Sequence, residues 1–173
     1  MVDIYDMLVK AGAIKHGKFK LTSGKISDFY VDIKEAVTDP KILTIITEQF
    51  SQLVGKEFSC IVGMELGAVP LIVALSLKLD IPYVIVRKEK REHGITDRFV
   101  GKLKEGHVLV VDDVITTGKS VAETVQLLKE IKVSVDRVIA VVDRNEGGNE
   151  LLSNMNIKMD SLVKLRIDQH VGT

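Results

Sequence analysis

The apolar positions of this chain follow two rhythms. Several short runs are continuously apolar and read as strands buried on both faces: Cys60 to Gly63, the core of YVIVR at Tyr83 to Arg87, Val108 to Val111 and Arg137 to Val142. A last strand is expected in LVKLRI, residues 162–167. Between the runs, apolar residues recur every three or four positions. A stretch rich in Leu, Ile and Ala follows MELGAVP and reaches about Leu79. Val121, Val125 and Leu128 mark one face of a helix that starts near Lys119, and a shorter helix precedes the final strand. Strand and helix in alternation predict an α/β fold, a central parallel sheet flanked by helices.

The first third of the chain is patterned differently. Residues 2–11 form an amphipathic helix with Ile4, Leu8 and Ala11 on one face, ended by Gly12. Phe19 to Thr22 and Phe29 to Ile33 read as short strands on either side of a Ser23-Gly24 turn. In the second strand Phe29, Val31 and Ile33 face one way, Tyr30 and Asp32 the other. Two short strands ahead of the first strand–helix unit suggest a small cap beside the main sheet. Thr38-Asp39-Pro40 is a helix start, and that helix runs to about Val54 and stops at Gly55. The expected organisation is one domain over residues 1–173, with 1–37 contributing to the cap and 58–167 forming the core.

Composition narrows the class without adding chemistry. The 173 residues carry 24 basic and 24 acidic side chains, so no global charge draws the chain to nucleic acid or to a membrane surface. The longest apolar stretch, around Val69 to Leu77, is too short to span a bilayer. Asp3 and Asp6 interrupt the start, which lacks a signal-peptide pattern. The single cysteine, Cys60, lies in an apolar run and reads as a reduced core residue, consistent with a cytoplasmic protein.

The chemistry concentrates in residues 108–120, VLVVDDVITTGKS. A buried strand ends in two acids, Asp112 and Asp113. Val114 and Ile115 follow, and then Thr116, Thr117, Gly118, Lys119 and Ser120, with a helix beginning at once. Ligands of open α/β sheets bind beyond the carboxyl ends of the strands. A helix start there offers unpaired N–H groups and the positive end of a dipole, which suits phosphate. Gly118 lets the backbone come close, and the hydroxyls can donate further hydrogen bonds. Acids beside a phosphate cradle would repel it, unless they accept hydrogen bonds from sugar hydroxyls. The stretch thus describes a pocket for a phosphorylated ribose. It is not a Walker A loop: the glycine needed five residues before Gly118 is Asp113, and no G-x-G-x-x-G occurs.

A second charged stretch leaves the carboxyl end of another core strand. RKEKREHG, Arg87 to Gly94, packs four cations and a histidine into its first seven residues. From Arg87 to Glu105 there are seven Lys or Arg against four acids, in a chain whose charges balance overall. A charged surface loop would explain the run, but its position at the phosphate edge favours a lid. The run DRNEGG, Asp143 to Gly148, ends a third core strand.

These stretches resemble the type I phosphoribosyltransferases, and the 108–120 run resembles their phosphoribosyl-pyrophosphate signature. Phe19 to Asp32, FKLTSGKISDFYVD, is similar to the N-terminal segment of the orotate phosphoribosyltransferases, where it forms a hood over the base. The resemblance implies the type I phosphoribosyltransferase fold and transfer of a phosphoribosyl group from 5-phosphoribosyl 1-pyrophosphate to orotate, in pyrimidine synthesis. It implies that Asp112 and Asp113 hold the ribose hydroxyls and that Thr116 to Ser120 wrap the 5′-phosphate, Val114 and Ile115 lining the same site. Lys88, Arg91 and His93, with Asp113, would be the catalytic residues, and Arg87 would join them at the pyrophosphate. Arg144 would hold the orotate carboxylate, with Thr116 near the base and Tyr30 stacking on it. Mg²⁺ would bind mainly through the substrate, with no direct protein ligands evident. A homodimer is implied, in which lid residues serve the neighbouring subunit.

Three positions depart from the family pattern. Thr22 stands where a lysine is frequent. Arg91 stands where the key lid lysine is usual, with Lys90 beside it as a replacement. In the pyrophosphate loop Glu65-Leu66-Gly67-Ala68, alanine replaces a second glycine, so the loop is expected to differ if it needs positive φ there. Two other readings share the 108–120 run. A purine or uracil phosphoribosyltransferase should lack the Phe19–Asp32 segment and DRNEGG, and a non-catalytic sensor of the sugar donor should lack the cationic stretch.

Overall fold

The computed structural model describes residues 2–20, 24, 26–55, 57–88 and 98–165. Six strands form the main sheet: β3 (Cys60–Met64), β4 (Tyr83–Val86), β5 (Phe99–Val100), β6 (His107–Ile115), β7 (Ser134–Asp143) and β8 (Lys158–Lys164). Their spatial order is β5-β4-β3-β6-β7-β8. All neighbours run parallel except β5, which pairs antiparallel to β4 through Ile85–Val100 and Val86–Phe99. The strand order reverses beside β3 and β6, the switch point at which α/β sheets open a crevice.

Side chains alternate between two apolar layers along the central strands, as the period of two requires. Leu109 and Val111 of β6, Ile61 of β3 and Ile139 and Val141 of β7 face one layer. Helices α1 (Ile4–Lys10), α3 (Pro40–Leu53) and α4 (Val69–Leu79) contribute Leu8, Ile46, Phe50, Leu71 and Leu75 to it. Val108 and Val110, Cys60 and Val62, Val138 and Ala140 face the other. There α5 (Lys119–Glu130) and α6 (Gly148–Asn154) pack Val121, Val125, Leu128 and Leu152. Cys60 is fully buried, and burial pushes its thiol up to about 11, as suits an inert core residue.

The cap is a separate antiparallel pair, β1 (Ile14–Lys20) and β2 (Ile26–Val31), followed by the one-turn helix α2 (Ile33–Ala36). Its inner residues Ile14, Phe29, Ile33 and Ala36 join the same layer as α3 and α4, so the hairpin is rooted in the core while its outer face is open.

Several boundaries differ from the sequence reading. β1 begins at Ile14, five residues before Phe19, because His16, Lys18 and Lys20 hide the strand among charges on an exposed face. Asp32 and Ile33 leave β2: the Asp32 carboxylate accepts from the Lys34 N–H at 3.1 Å and caps α2. β8 starts at Lys158, earlier than LVKLRI, drawn into parallel register with Arg137 to Asp143. β6 runs on to Ile115, so both acids lie within the strand. β5 was not anticipated, since two residues carry no periodicity.

Candidate active site

The carboxyl ends of β3, β4, β6 and β7 meet above the switch point, and each brings one of the stretches singled out from sequence. β6 carries Asp112 and Asp113 and turns into α5 through Thr116, Thr117 and Gly118. Gly118 is the N-cap with φ 76°, a left-handed conformation that favours glycine, and it has no side chain to cover the helix end. Residues Asp112 and Val114 to Val121 line a hollow of about 60 Å³, on the scale of one tetrahedral anion and far below a whole nucleotide. The first turn of α5 holds no acid, so the dipole and N–H groups face the hollow unopposed.

The two acids are unlike each other. The Asp113 N–H donates to Oδ1 of Asp112 at 2.9 Å. Burial, reinforced by the neighbouring Asp113 carboxyl, pushes the Asp112 carboxyl up to about 8, while Lys34 pulls the other way. The Asp113 side chain, 14% exposed, faces the crevice and lies 3.9 Å from Lys34 Nζ. It presses on the loop after β3, because a Cβ at Gly67 would collide with its carboxylate. Gly67 thus leaves the Asp113 carboxylate in its place, which any Cβ there would force it to leave. The alanine at 68 needs no positive φ: its φ is −77°, and its methyl packs against Gly63 in the core. The Glu65–Leu66 peptide of this loop is cis.

At the end of β4 the backbone of Arg87 and Lys88 is pinned from two sides. The Lys88 N–H donates to Oε1 of Glu65 at 2.8 Å. Arg98 donates through Nε and Nη2 to the Arg87 carbonyl at 3.2 and 3.0 Å, and Arg87 N donates to the Arg98 carbonyl at 2.8 Å. The expected lid residues Glu89, Lys90, Arg91, His93 and Gly94 lie outside the described residues, as does Thr22.

DRNEGG forms the fourth wall. Asp143 is buried and accepts from the Asn145 N–H at 2.8 Å, holding a turn in which Asn145 takes φ 57°. Arg144 therefore pairs elsewhere. Its Nη2 reaches Glu146 Oε1 at 2.8 Å and Ser27 Oγ of the hairpin at 3.0 Å, with the side chain 12% exposed. Two backbone bonds tie this wall to the phosphate cradle: Arg144 N to the Ile115 carbonyl at 2.9 Å and Gly148 N to the Thr116 carbonyl at 3.1 Å. Gly148 and Gly118 approach backbone to backbone, and a Cβ on Gly148 would collide with the Ile115 side chain and the Thr116 carbonyl.

Tyr30 lies on the face of β2 opposite Ser27 and Phe29. Its ring leans on Phe19, with centroids 5.6 Å apart, and lies under Lys15. Its hydroxyl donates to Asp32 Oδ2 at 3.4 Å, and Asp32 pairs with Lys34 at 3.7 Å, beside Asp113. The structure thus brings Asp112, Asp113 and Thr116 to Ser120 together with Arg144, and leads to Tyr30 only through Asp32 and Lys34. Sequence reasoning missed Ser27, Lys34, Glu65 as a backbone anchor, and Arg98. Arg98 left a trace as one of the seven cations counted after Val86, and Glu65 as a member of the loop after Met64.

An acid pair under a helix-start phosphate cradle, at the switch point of a parallel sheet, defines the phosphoribosyltransferase class. Comparison with known proteins agrees. The phosphoribosyl transferase domain family matches residues 34–163. The orotate phosphoribosyltransferase of Thermoplasma volcanium is 55% identical over 159 residues, covering 91% of this chain and 94% of that one. The crystal structure of orotate phosphoribosyltransferase from Aeropyrum pernix superposes with a TM-score of 0.86 at 32% identity, covering 94% of this chain and 93% of that one. The Mycobacterium tuberculosis enzyme, solved in complex with 5-phospho-α-D-ribosyl 1-diphosphate, gives a TM-score of 0.75 at 25% identity, with 95% and 97% covered. The chain belongs to the phosphoribosyltransferase family and, within it, to the orotate phosphoribosyltransferases.

Proposed function

We propose that this chain transfers the phosphoribosyl group of 5-phosphoribosyl 1-pyrophosphate to orotate, giving orotidine 5′-monophosphate and pyrophosphate in de novo pyrimidine (UMP) biosynthesis. The observation that carries this reading is the meeting, at one sheet edge, of the Asp112–Asp113 pair, the open start of α5 and the Arg144 guanidinium. The orotate ring nitrogen forms a bond to the sugar carbon as the carbon–oxygen bond to pyrophosphate breaks, the electron pair leaving with pyrophosphate. Asp113, and Asp112 when ionised, accept hydrogen bonds from the ribose hydroxyls. Thr116 to Ser120 hold the 5′-phosphate. Arg144 offers a planar fork to the orotate carboxylate, and Tyr30 contributes a half-open ring face. Catalysis is then positioning together with neutralisation of charge building on the leaving group.

Lys88, with Arg87, Arg91 and His93 from the cationic stretch, neutralises that leaving group. The Glu65 and Arg98 contacts to the Arg87–Lys88 backbone support this assignment for the first two. Mg²⁺ would suit the site as a hard cation bound mainly through the substrate, with Asp112 and Asp113 close by, and would add neutralising charge to the leaving group. Among the described residues no cluster of three or more His, Cys, Asp or Glu stands together. The reading includes a cytoplasmic homodimer, which sedimentation of the intact chain measures. No described helix is long and apolar enough to cross a membrane.

The test is ultraviolet measurement of orotate consumption with the sugar donor and Mg²⁺, with adenine, hypoxanthine and uracil in parallel. Consumption of orotate alone is expected. Turnover of another base would keep the class and remove the orotate assignment; no turnover, with tight binding of the donor, would leave a sensor.

A further inference from the structure

Arg144 is fixed on two sides by different parts of the chain. The Glu146 carboxylate, two residues away, forms an ion pair with Nη2 at 2.8 Å. Ser27 accepts from the same nitrogen at 3.0 Å across a sequence separation of 117. The Ser27 hydroxyl has no other freedom. It donates to the Phe29 carbonyl at 2.9 Å and accepts from the Phe29 N–H at 3.2 Å, so its one proton and both lone pairs are engaged. Phe29 is itself buried in the core layer. Among the described residues, this is the one side chain–side chain hydrogen bond joining the β1–β2 hairpin to the sheet.

We infer that Ser27 is a positioning residue for orotate: its hydroxyl, locked by the Phe29 backbone, holds the Arg144 guanidinium at the angle at which it meets the substrate carboxylate. Without that acceptor a long side chain regains its rotamers and must be ordered again at each binding event. The inference rests on the reading of Arg144 as the carboxylate's partner. It goes beyond that reading in assigning part of the base specificity to a hairpin residue that has no contact with the substrate of its own.

The test is a double-mutant cycle of Ser27→Ala and Arg144→Ala, read as KM for orotate and, separately, KM for the sugar donor. Ser27→Ala is expected to raise KM for orotate roughly tenfold, the scale of one hydrogen bond to a charged group. KM for the sugar donor should stay within about twofold, because the phosphate cradle is untouched. Ser27→Thr, which keeps the hydroxyl and suits a strand, should restore the orotate value. In the Arg144→Ala background, Ser27→Ala should add nothing. A Ser27→Ala penalty that persists undiminished without Arg144, or no penalty at all, overturns the inference. If Arg144→Ala alone leaves orotate binding unchanged, the carboxylate reading itself fails, which is a different result. Ser27→Cys, which keeps the volume but accepts weakly, repeats the test should the alanine variant fold poorly.

Discussion

β6 and β2 both deliver side chains to the site, but they are built in opposite ways. β6 runs through the middle of a six-stranded sheet, bonded to β3 on one side and β7 on the other, with Val108 to Val111 buried. β2 is half of a two-stranded hairpin, and of its six residues only Phe29 is buried. An isolated hairpin is marginal in water, so β2 depends on a few anchors: Phe29, Ile14 across the pair, and the bond from Ser27 to Arg144. The contrast divides the labour. On the proposed reading, the sugar phosphate would meet a surface set by the sheet, and the base would be gripped by Arg144 beside the sheet and by a hairpin whose outer face can vary without disturbing the core.

The sharpest way to break that contrast is at Gly67. A Cβ there runs into the Asp113 carboxylate, and that short side chain can yield only by leaving its place in the crevice. Gly67→Ala is expected to lower kcat/KM for the sugar donor by roughly 100-fold while melting within a few degrees of the parent, since Gly67 has an ordinary φ. Steady-state kinetics beside thermal melting checks this. A loss shared equally between melting temperature and activity would mean that the sheet end is no more exact than the hairpin.

The hairpin should respond differently. Tyr30 is 42% exposed, and its ring rests on Phe19. Tyr30→Leu is expected to raise KM for orotate by about fivefold and leave KM for the sugar donor unchanged, the scale of one aromatic contact. Tyr30→Phe keeps the ring and loses only the long bond to Asp32, so it should behave as the parent. If Tyr30→Phe instead weakens the sugar donor, the role of Tyr30 runs through Asp32 and Lys34 to Asp113, and the hood serves both halves of the reaction.

The same contrast explains what could be read from the sequence. The parallel core was legible because strands buried on both faces are uniform apolar runs, and the cradle because small hydroxyl residues and a glycine follow one of them. The acids at Asp112 and Asp113 hid the last four residues of β6, since charge interrupts the apolar signal while the ladder to β7 continues through Ile115. On the hairpin, the exposed run Lys15-His16-Gly17-Lys18 breaks the alternation and concealed where β1 begins. The contacts that organise the site escaped altogether. Ser27 with Arg144, Lys34 with Asp113, Glu65 with Lys88 and Arg98 with Arg87 join residues far apart in sequence, and polar contacts of that kind have no period to detect. Gly67 was visible only as a turn; its reason lay 46 residues away, in Asp113.

The smallest expected effect concerns the stability that the sheet end gives up to hold its acids. In the unfolded chain Asp112 ionises near its ordinary value of 3.8; in the folded protein burial beside Asp113 holds its proton up to about 8. Below pH 4 both states are protonated and the group is neutral in its effect. As pH rises from about 4 to 8 the unfolded state loses the proton first, so the folded state is progressively disfavoured, and above 8 the loss levels off. Asp112→Asn cannot ionise. In the absence of substrate it should therefore melt a few degrees above the parent at pH 8, and much closer to it at pH 5. Adding the sugar donor should reverse the order, because the parent carboxylate then gains ribose hydroxyls that asparagine meets less well. Melting curves at the two pH values, with and without the donor, check both halves. A gap between parent and variant that does not widen with pH would show that Asp112 is ionised without cost, and that the sheet end is not strained for its task in the way its burial implies.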